Sequence, residues 1–402
     1  SEICMLLYDQ GVLKKDESAY NTLSAHDSYQ TYIFIVNKIK KLEITPAQIA
    51  LDPCSGSVVI TDPNNGKVKA MVTYPSYDNN QLSGSVDSDY WEKLIEDQSD
   101  PLYNRATQGA TAPGSTFKMC TSMTAMKEGV VSAGETVTDQ GKFKKITPSP
   151  KCWIYPQATH GSINVSQALA DSCNYFFYEM GYRLGKSNNT AYDSAVGLEK
   201  IENYATQLGL NMKSGVEITE RDPHFSTESA VHSAIGQGSN AYTPAQLARY
   251  TSTIANGGKN YSLTLLDKVN SRNGKLVYKN KAKLHNTVEA SSTIWNAIHT
   301  GMRMVVTQGT VRNYFTDTKI AIAGKSGTAQ ENTHRNSHSL FVAYAPYDNP
   351  KIAISTVIPF GDSSHDSAEL AKTCIQYYYG ELTDKDLKKA VKVDSSRKVT
   401  HD

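Results

Sequence analysis

Five β-rich runs, two near the start and three near the end, bracket a helical middle, and this order limits the folds open to the chain. Ser57–Asp62 and Lys67–Tyr74 flank Pro63-Asn64-Asn65-Gly66, whose Asn-Gly step is a hairpin signal. The later runs are Lys319–Ala323, Ser339–Ala345 and Lys351–Ile358, with Pro346–Pro350 turning between the last two. From Tyr103 to Gly258 the pattern is mostly helical with long loops, and a helix from His365 to Tyr379 closes the folded part. Two strands from one end and three from the other predict a mixed α/β (α+β) chain. Its five-stranded antiparallel sheet is flanked by helices, the middle forms an all-helical lobe, and a cleft between the two is the natural place for a site. With 402 residues, 39% of them hydrophobic, a large core is within reach.

Residues 1–50 are polar and tyrosine-bearing, with a helix near Thr31–Leu42, and Leu51-Asp52-Pro53-Cys54-Ser55-Gly56 is punctuated as a boundary. The divisions are therefore 1–50, 51–381 and a charged tail over 382–402. The 41 basic and 40 acidic residues show no basic stripe interleaved with aromatics, so nucleic-acid binding has no support. No run of about 18 apolar residues spans a membrane. Ser1-Glu2-Ile3-Cys4 lacks a starting Met and a signal-like stretch, so the chain reads as part of something longer.

Three short strings carry the chemistry. Ser115-Thr116-Phe117-Lys118 is S-x-x-K, Ser172-Cys173-Asn174 is S-x-N, and Lys325-Ser326-Gly327-Thr328 is K-[ST]-G. Pro113-Gly114 places Ser115 at a helix N-terminus, where free N–H groups favour developing negative charge. Lys118, one turn on, reaches the serine hydroxyl and acts as a base if burial and a second cation, Lys325, lower its pKa. In a non-helical turn Ser172 and Asn174 face one cleft, the first relaying a proton and the second holding an amide. On a strand over Ala321–Gln330, Gly324 and Gly327 let the backbone approach a ligand. The Thr328 and Ser115 N–H groups form an oxyanion hole, and Lys325, Ser326 and Thr328 bind a carboxylate. An isolated S-x-x-K is usually a capping serine and a solvated lysine; three corners in order reverse that reading.

With these residues the chain resembles the transpeptidase domain of penicillin-binding proteins, most closely class B, from about Leu51 to Tyr379. The resemblance extends to Asn104-Arg105-Ala106-Thr107-Gln108-Gly109, Ile235-Gly236-Gln237-Gly238, Thr243-Pro244-Ala245-Gln246 and Phe341-Val342-Ala343-Tyr344-Ala345-Pro346. It implies a peptidoglycan D,D-transpeptidase working through an acyl-serine, acylated by β-lactams, with no cofactor needed for the chemistry. The implied partners are D-Ala-D-Ala stem peptides and a glycosyltransferase of the cell-wall machinery. The implied location is the extracytoplasmic face of the cell membrane, reached through a missing N-terminal anchor, with residues 1–50 ending a membrane-proximal pedestal. A serine β-lactamase and a β-lactam sensor share the motifs. Glu199-Lys200-Ile201-Glu202-Asn203 superficially fits a lactamase E-x-x-x-N string but reads as a helix face.

The cysteines leave a choice. Cys152, His160 and Cys173 form C-x7-H-x12-C, and Asp139 lies thirteen residues before Cys152. Two thiolates, an imidazole and a carboxylate complete a tetrahedral zinc site that would brace the S-x-N motif, and some class B proteins resemble this chain in carrying one there. Metal-free thiols and a Cys152–Cys173 disulfide are the alternatives. Cys120 points to another helix face and reads as core. Cys4, Cys54 and Cys374 make no pattern, and His334 and His338 read as surface loop residues.

Overall fold

The computed structural model describes all residues except 15, 42, 45–48, 50–54, 187–190, 332–334 and 388–402. The boundary residues 51–54, the end of the expected early helix at Leu42, Cys54, His334 and most of the charged tail therefore lie outside the described residues. The chain divides into two compact units, Ser1–Ser55 with Pro75–Tyr103, and Gly56–Tyr74 with Asn104–Asp402.

In the first unit, helices span Glu2–Asp9, Glu17–Ser24, Ser28–Lys40 and Ser88–Glu96. Asp16 and Asp27 each accept a backbone N–H three residues on, which starts the second and third helices. That cap is why the third helix opens at Ser28, ahead of the expected Thr31. Cys4, Leu7, Tyr8, Leu13, Leu23, Ile44 and Ile49 make its small core.

The second unit is built on one antiparallel sheet. Its strands are β1 (Gly56–Thr61), β2 (Val68–Tyr74), β3 (Ala323–Ala329), β4 (His338–Ala345) and β5 (Ile352–Ile358), in the order β2-β1-β5-β4-β3. Two strands from one end and three from the other do meet, as expected. Both faces are covered. Phe341, Ala343, Ile352 and Ile354 pack with Ala368, Ala371 and Ile375 of helix Ser364–Tyr378, while Leu340, Val342, Tyr344 and Val357 join the larger core of the helical region. This two-sided burial explains the near-continuous apolar runs of β4 and β5.

One strand boundary differs from expectation. Residues 319–322 are not in the ladder, which begins at Ala323 opposite Tyr344. The chain of β4 passes from Ala345 into Pro346, which has no N–H to extend the pairing. Ile322 is held instead by its carbonyl, which accepts from Arg303 Nη1 at 2.6 Å.

What the fold does for the site is press three pieces of backbone together. Helix α1 (Lys118–Lys127) follows a single 3₁₀ turn at Gly114–Phe117. Gly114 N–H donates to Gly236 O at 3.1 Å. Gly236 has φ +76, and a Cβ there would lie 2.1 Å from Gly114 O. We expect Gly236→Ala to destabilise the protein by about 2 kcal/mol or more, combining left-handed strain with overpacking. Thermal unfolding of the variant against the parent checks this, and an unchanged melting temperature would contradict it.

Candidate active site

The three motifs converge. Ser115, Ser172, Asn174, Ser326 and Thr328 line one cavity of about 450 Å³, together with Trp153, Gln237, Thr310, Gln330, Ser337, Ser364 and His365. Lys118 and Lys325 lie beneath its floor, both fully buried.

Lys118 opens α1, and its Nζ donates to Asn174 Oδ1 at 2.6 Å, Ser172 O at 2.8 Å and Ser172 Oγ at 3.2 Å. Lys325 Nζ reaches the same hydroxyl, Ser172 Oγ, at 3.0 Å, and also Ser326 O at 3.0 Å. One serine oxygen thus bridges two buried amines. Burial lowers Lys118 to about 7, against the pull of the nearby Cys173 and Cys152 sulfurs. Burial and the charge of Lys118 hold Lys325 well below its ordinary range.

Ser172 sits at φ +52, a left-handed conformation unusual for a non-glycine residue. Cys173 then caps helix α2 (Asn174–Leu184), its Sγ accepting from Phe176 N–H at 3.4 Å. The expected non-helical turn is therefore only half of the motif. Asn174 is the first helical residue, and the cap aims its amide at Lys118.

On β3 two expectations are corrected. Gly324 and Gly327 do not admit a ligand. A Cβ on Gly327 would meet Thr116 Cγ2 at 2.8 Å and Pro113 O at 3.0 Å, and one on Gly324 would meet the Phe341 ring at 2.5 Å. Gly327 thus lets the strand dock against the turn that carries Ser115. Lys325 points under Ser326 rather than into the cavity, so Ser326 and Thr328 are the residues that β3 presents there. Thr310 Oγ1 steadies Ser326 Oγ at 3.0 Å.

Residues outside the motifs complete the frame. Tyr250 OH accepts Cys120 N–H at 2.9 Å and donates to Thr116 O at 3.3 Å, spanning the start of α1. Cys120 is buried core, as expected. His338 is not a surface loop residue. It is buried in β4, with Phe360 N–H donating to its Nδ1 at 3.2 Å, and Glu331 lies 3.3 Å from its Nε2. No short string marks Tyr250, Thr310, Trp153 or His365. They are scattered in sequence and meet only through packing.

Asp139, Cys152, His160 and Cys173 also come together, with all donor atoms within 4.8 Å of one another. Cys152 Sγ is 3.8 Å from Cys173 Sγ and 3.5 Å from His160 Nδ1; Asp139 Oδ2 is 2.8 Å from His160 Nδ1 and 3.6 Å from Cys173 Sγ. Both cysteines are free thiols, which removes the disulfide alternative from this structure. Two Zn–S bonds of about 2.3 Å at a tetrahedral angle separate their sulfurs by about 3.8 Å, so the thiol pair has the spacing a zinc ion requires. A hydrogen bond from Cys173 lowers Cys152 to about 5, which supplies one thiolate readily, while burial pushes Cys173 up.

The comparisons with known proteins agree with this geometry. The penicillin-binding protein transpeptidase domain matches residues 56–376. The chain belongs to this family. Over 366 residues it is 30% identical to the peptidoglycan D,D-transpeptidase MrdA of Haemophilus influenzae, covering 82% of this chain and 54% of that protein. The chain thus spans about half the length of the curated relatives it matches. Among solved structures it resembles Pseudomonas aeruginosa PBP2 in complex with WCK 5153, with a TM-score of 0.70, 26% identity, and 83% of this chain and 77% of that one covered. It also resembles a chain of a peptidoglycan synthase complex described as coordinating polymerization and crosslinking, with a TM-score of 0.71, 26% identity, and 82% and 56% covered.

The lysine floor generates a stability prediction. The unfolded chain holds the Lys118 proton more tightly than the folded one, so the group destabilises the fold below about pH 7, and the penalty fades as pH rises toward 10.5. Lys118→Met is expected to melt higher than the parent at pH 7, by about 3 °C or more. The gap should narrow at pH 9. A variant that melts lower at both pH values would show that the hydrogen bonds to Ser172 and Asn174 outweigh the desolvation.

Proposed function

We propose that this chain is the catalytic portion of a class B peptidoglycan D,D-transpeptidase. The observation that carries the reading is the Ser172 hydroxyl held between Lys118 and Lys325 on the floor of the cavity that Ser115 lines.

Ser115 Oγ attacks the carbonyl between the two terminal D-alanines of a stem peptide while neutral Lys118 takes its proton. The oxyanion is met by the N–H groups of Ser115 and Thr328. As the tetrahedral adduct collapses, the proton passes from the Lys118 ammonium through Ser172 to the departing D-alanine amine. Ser172 is already hydrogen-bonded to both lysines, so the relay needs no side-chain rearrangement. Asn174 holds the substrate amide. Ser326 and Thr328 anchor the terminal carboxylate, with Lys325 behind them as the source of positive potential. An amine of a second stem then attacks the acyl-serine, Lys118 accepts its proton, and the new amide is the cross-link.

Asp139, Cys152, His160 and Cys173 would hold a zinc ion in a structural role. Such an ion takes no part in acyl transfer. It ties the Cys152 loop to Cys173 and so holds the Ser172–Asn174 turn in its strained conformation. Residues 1–50 are read as the end of the pedestal, with 51–381 as the transpeptidase domain. Peptidoglycan lies outside the cytoplasmic membrane, so the enzyme works on that face, anchored through a segment of a longer protein. Among the described residues no helix is long and apolar enough to cross a membrane. A glycosyltransferase of the cell-wall machinery is the proposed partner, in keeping with the synthase complex whose chain this one resembles. A hydrolase reading has less support: Glu199 and Asn203 lie exposed on the helix Ser194–Gln207, not on the cavity wall.

Intact-protein mass spectrometry after incubation with benzylpenicillin tests the reading. A stable adduct is expected on the parent and none on Ser115→Ala. Antibiotic consumed without an adduct would mean a β-lactamase, and an adduct that is never resolved by transfer to an amine acceptor would mean a sensor. The acylation rate should rise with pH and level off above about 7, where Lys118 is neutral. A rate flat from pH 5 to 8 would remove Lys118 as the base. Elemental analysis should find about one zinc per chain, lost in Cys152→Ser together with several degrees of melting temperature. Well under one zinc per chain in the parent would end the metal assignment.

A further inference from the structure

A second cavity, of about 400 Å³, adjoins the first and shares Trp153 and Thr310 with it. Its walls carry opposite charges that do not meet. Asp171 stands on one side, immediately before Ser172, and Arg312 and Asn313 stand on the other. Among the described residues, the Asp171 carboxylate and the Asn313 amide make no side-chain hydrogen bond or ion pair. The Arg312 guanidinium makes one, from Nη1 to Gln308 O at 3.1 Å. A carboxylate, an amide and most of a guanidinium are thus left facing a space the size of a ligand site.

The frame around this space is firm. Gly309 packs so closely on Ala170 that a Cβ there would lie 2.2 Å from the Ala170 carbonyl oxygen. Trp153 Nε1 donates to Asp171 O at 3.2 Å, and Thr310 Oγ1 meets Ser326 Oγ at 3.0 Å. The same contacts therefore position the charged walls and the motifs of the first cavity.

We infer that this second cavity is a subsite for the side chain of the donor stem peptide's third residue, and that it selects a side chain ending in an ammonium and a carboxylate on one carbon. Arg312 and Asn313 take the carboxylate, and Asp171 takes the ammonium. The inference rests on the transpeptidase reading. In such a donor the third residue precedes the D-alanine that Ser115 attacks, so its side chain, four carbons long, starts beside the first cavity and reaches the adjoining one. A lysine side chain would satisfy Asp171 and leave Arg312 and Asn313 unmatched. An amine-only ligand does not account for a cationic wall, because a guanidinium opposes it.

The test uses two soluble stem pentapeptides that differ only at the third residue, meso-diaminopimelate or L-lysine. D-Alanine release is measured per Ser115 titratable with benzylpenicillin, in the parent and in Arg312→Gln. The parent should prefer the diaminopimelate donor by about tenfold in kcat/KM, the size expected for one partly solvated charge-assisted contact. Arg312→Gln should bring the ratio close to one. A parent without preference, or a variant that keeps it, would overturn the subsite. A third arm adds a diaminopimelate-bearing acceptor that lacks the D-Ala-D-Ala end. If Arg312→Gln changes only the acceptor KM, the cavity belongs to the acceptor and the donor assignment falls. Release from neither donor, by a protein that benzylpenicillin still acylates, would overturn the transpeptidase reading and this subsite with it.

Discussion

Two amines buried side by side, sharing one serine hydroxyl, are the constraint to which the rest of the site answers. Neither ammonium is comfortable away from water, and each makes the other less so. The fold holds Lys118 and Lys325 there by supplying oxygens, namely Ser172 Oγ, Ser172 O, Asn174 Oδ1 and Ser326 O. The consequence is a lysine that gives up its proton near neutrality, which an exposed lysine does not do. Stability is traded for that reactivity, and the strained Ser172 backbone is part of the same exchange.

Such an arrangement needs a rigid surround, and the structure has two kinds. One is backbone docking at glycine. Gly114 against Gly236, and Gly327 against Thr116, press the nucleophile's turn between a loop of the helical region and the edge strand β3. The other is side-chain bracing. Tyr250 ties both sides of the first turn of α1, and the Asp139–Cys152–His160–Cys173 cluster grips the middle residue of the S-x-N motif. Cys173 serves twice, as helix cap and as cluster member, so the turn bearing Ser172 and Asn174 is held from both directions.

Much of this was legible before the fold was known, because some residue patterns carry their own geometry. Asn65-Gly66 between β-rich runs announced a hairpin, and Gly66 does take a positive φ of +75. The three motifs named Ser115, Lys118, Ser172, Asn174, Ser326 and Thr328, which the structure gathers at one cavity. The errors also have physical causes. The run at 319–322 alternates like a strand, but pairing depends on a partner, and β4 passes into Pro346 where that partner would be needed. The glycines of β3 were read as room for a ligand. A missing Cβ leaves room for whatever the fold brings near, and here that is the turn carrying Ser115 and the Phe341 ring. His338 looked like a loop residue because its burial is decided by Phe360 and Glu331, which no local pattern announces.

By itself, then, the sequence determined which chemical groups exist and the local geometry that short-range sterics impose: a serine opening a helix with a lysine one turn on, a hairpin at Asn-Gly, strands long enough to pair. Tertiary structure alone decided which of those groups face the cavity and which lie beneath it. It also decided that Ser172 bridges two lysines, and that Asp171 and Arg312 look across one space without touching. The reason is that burial, proton affinity and ligand geometry depend on atoms far apart in the chain. They acquire values only when packing fixes the distances between them.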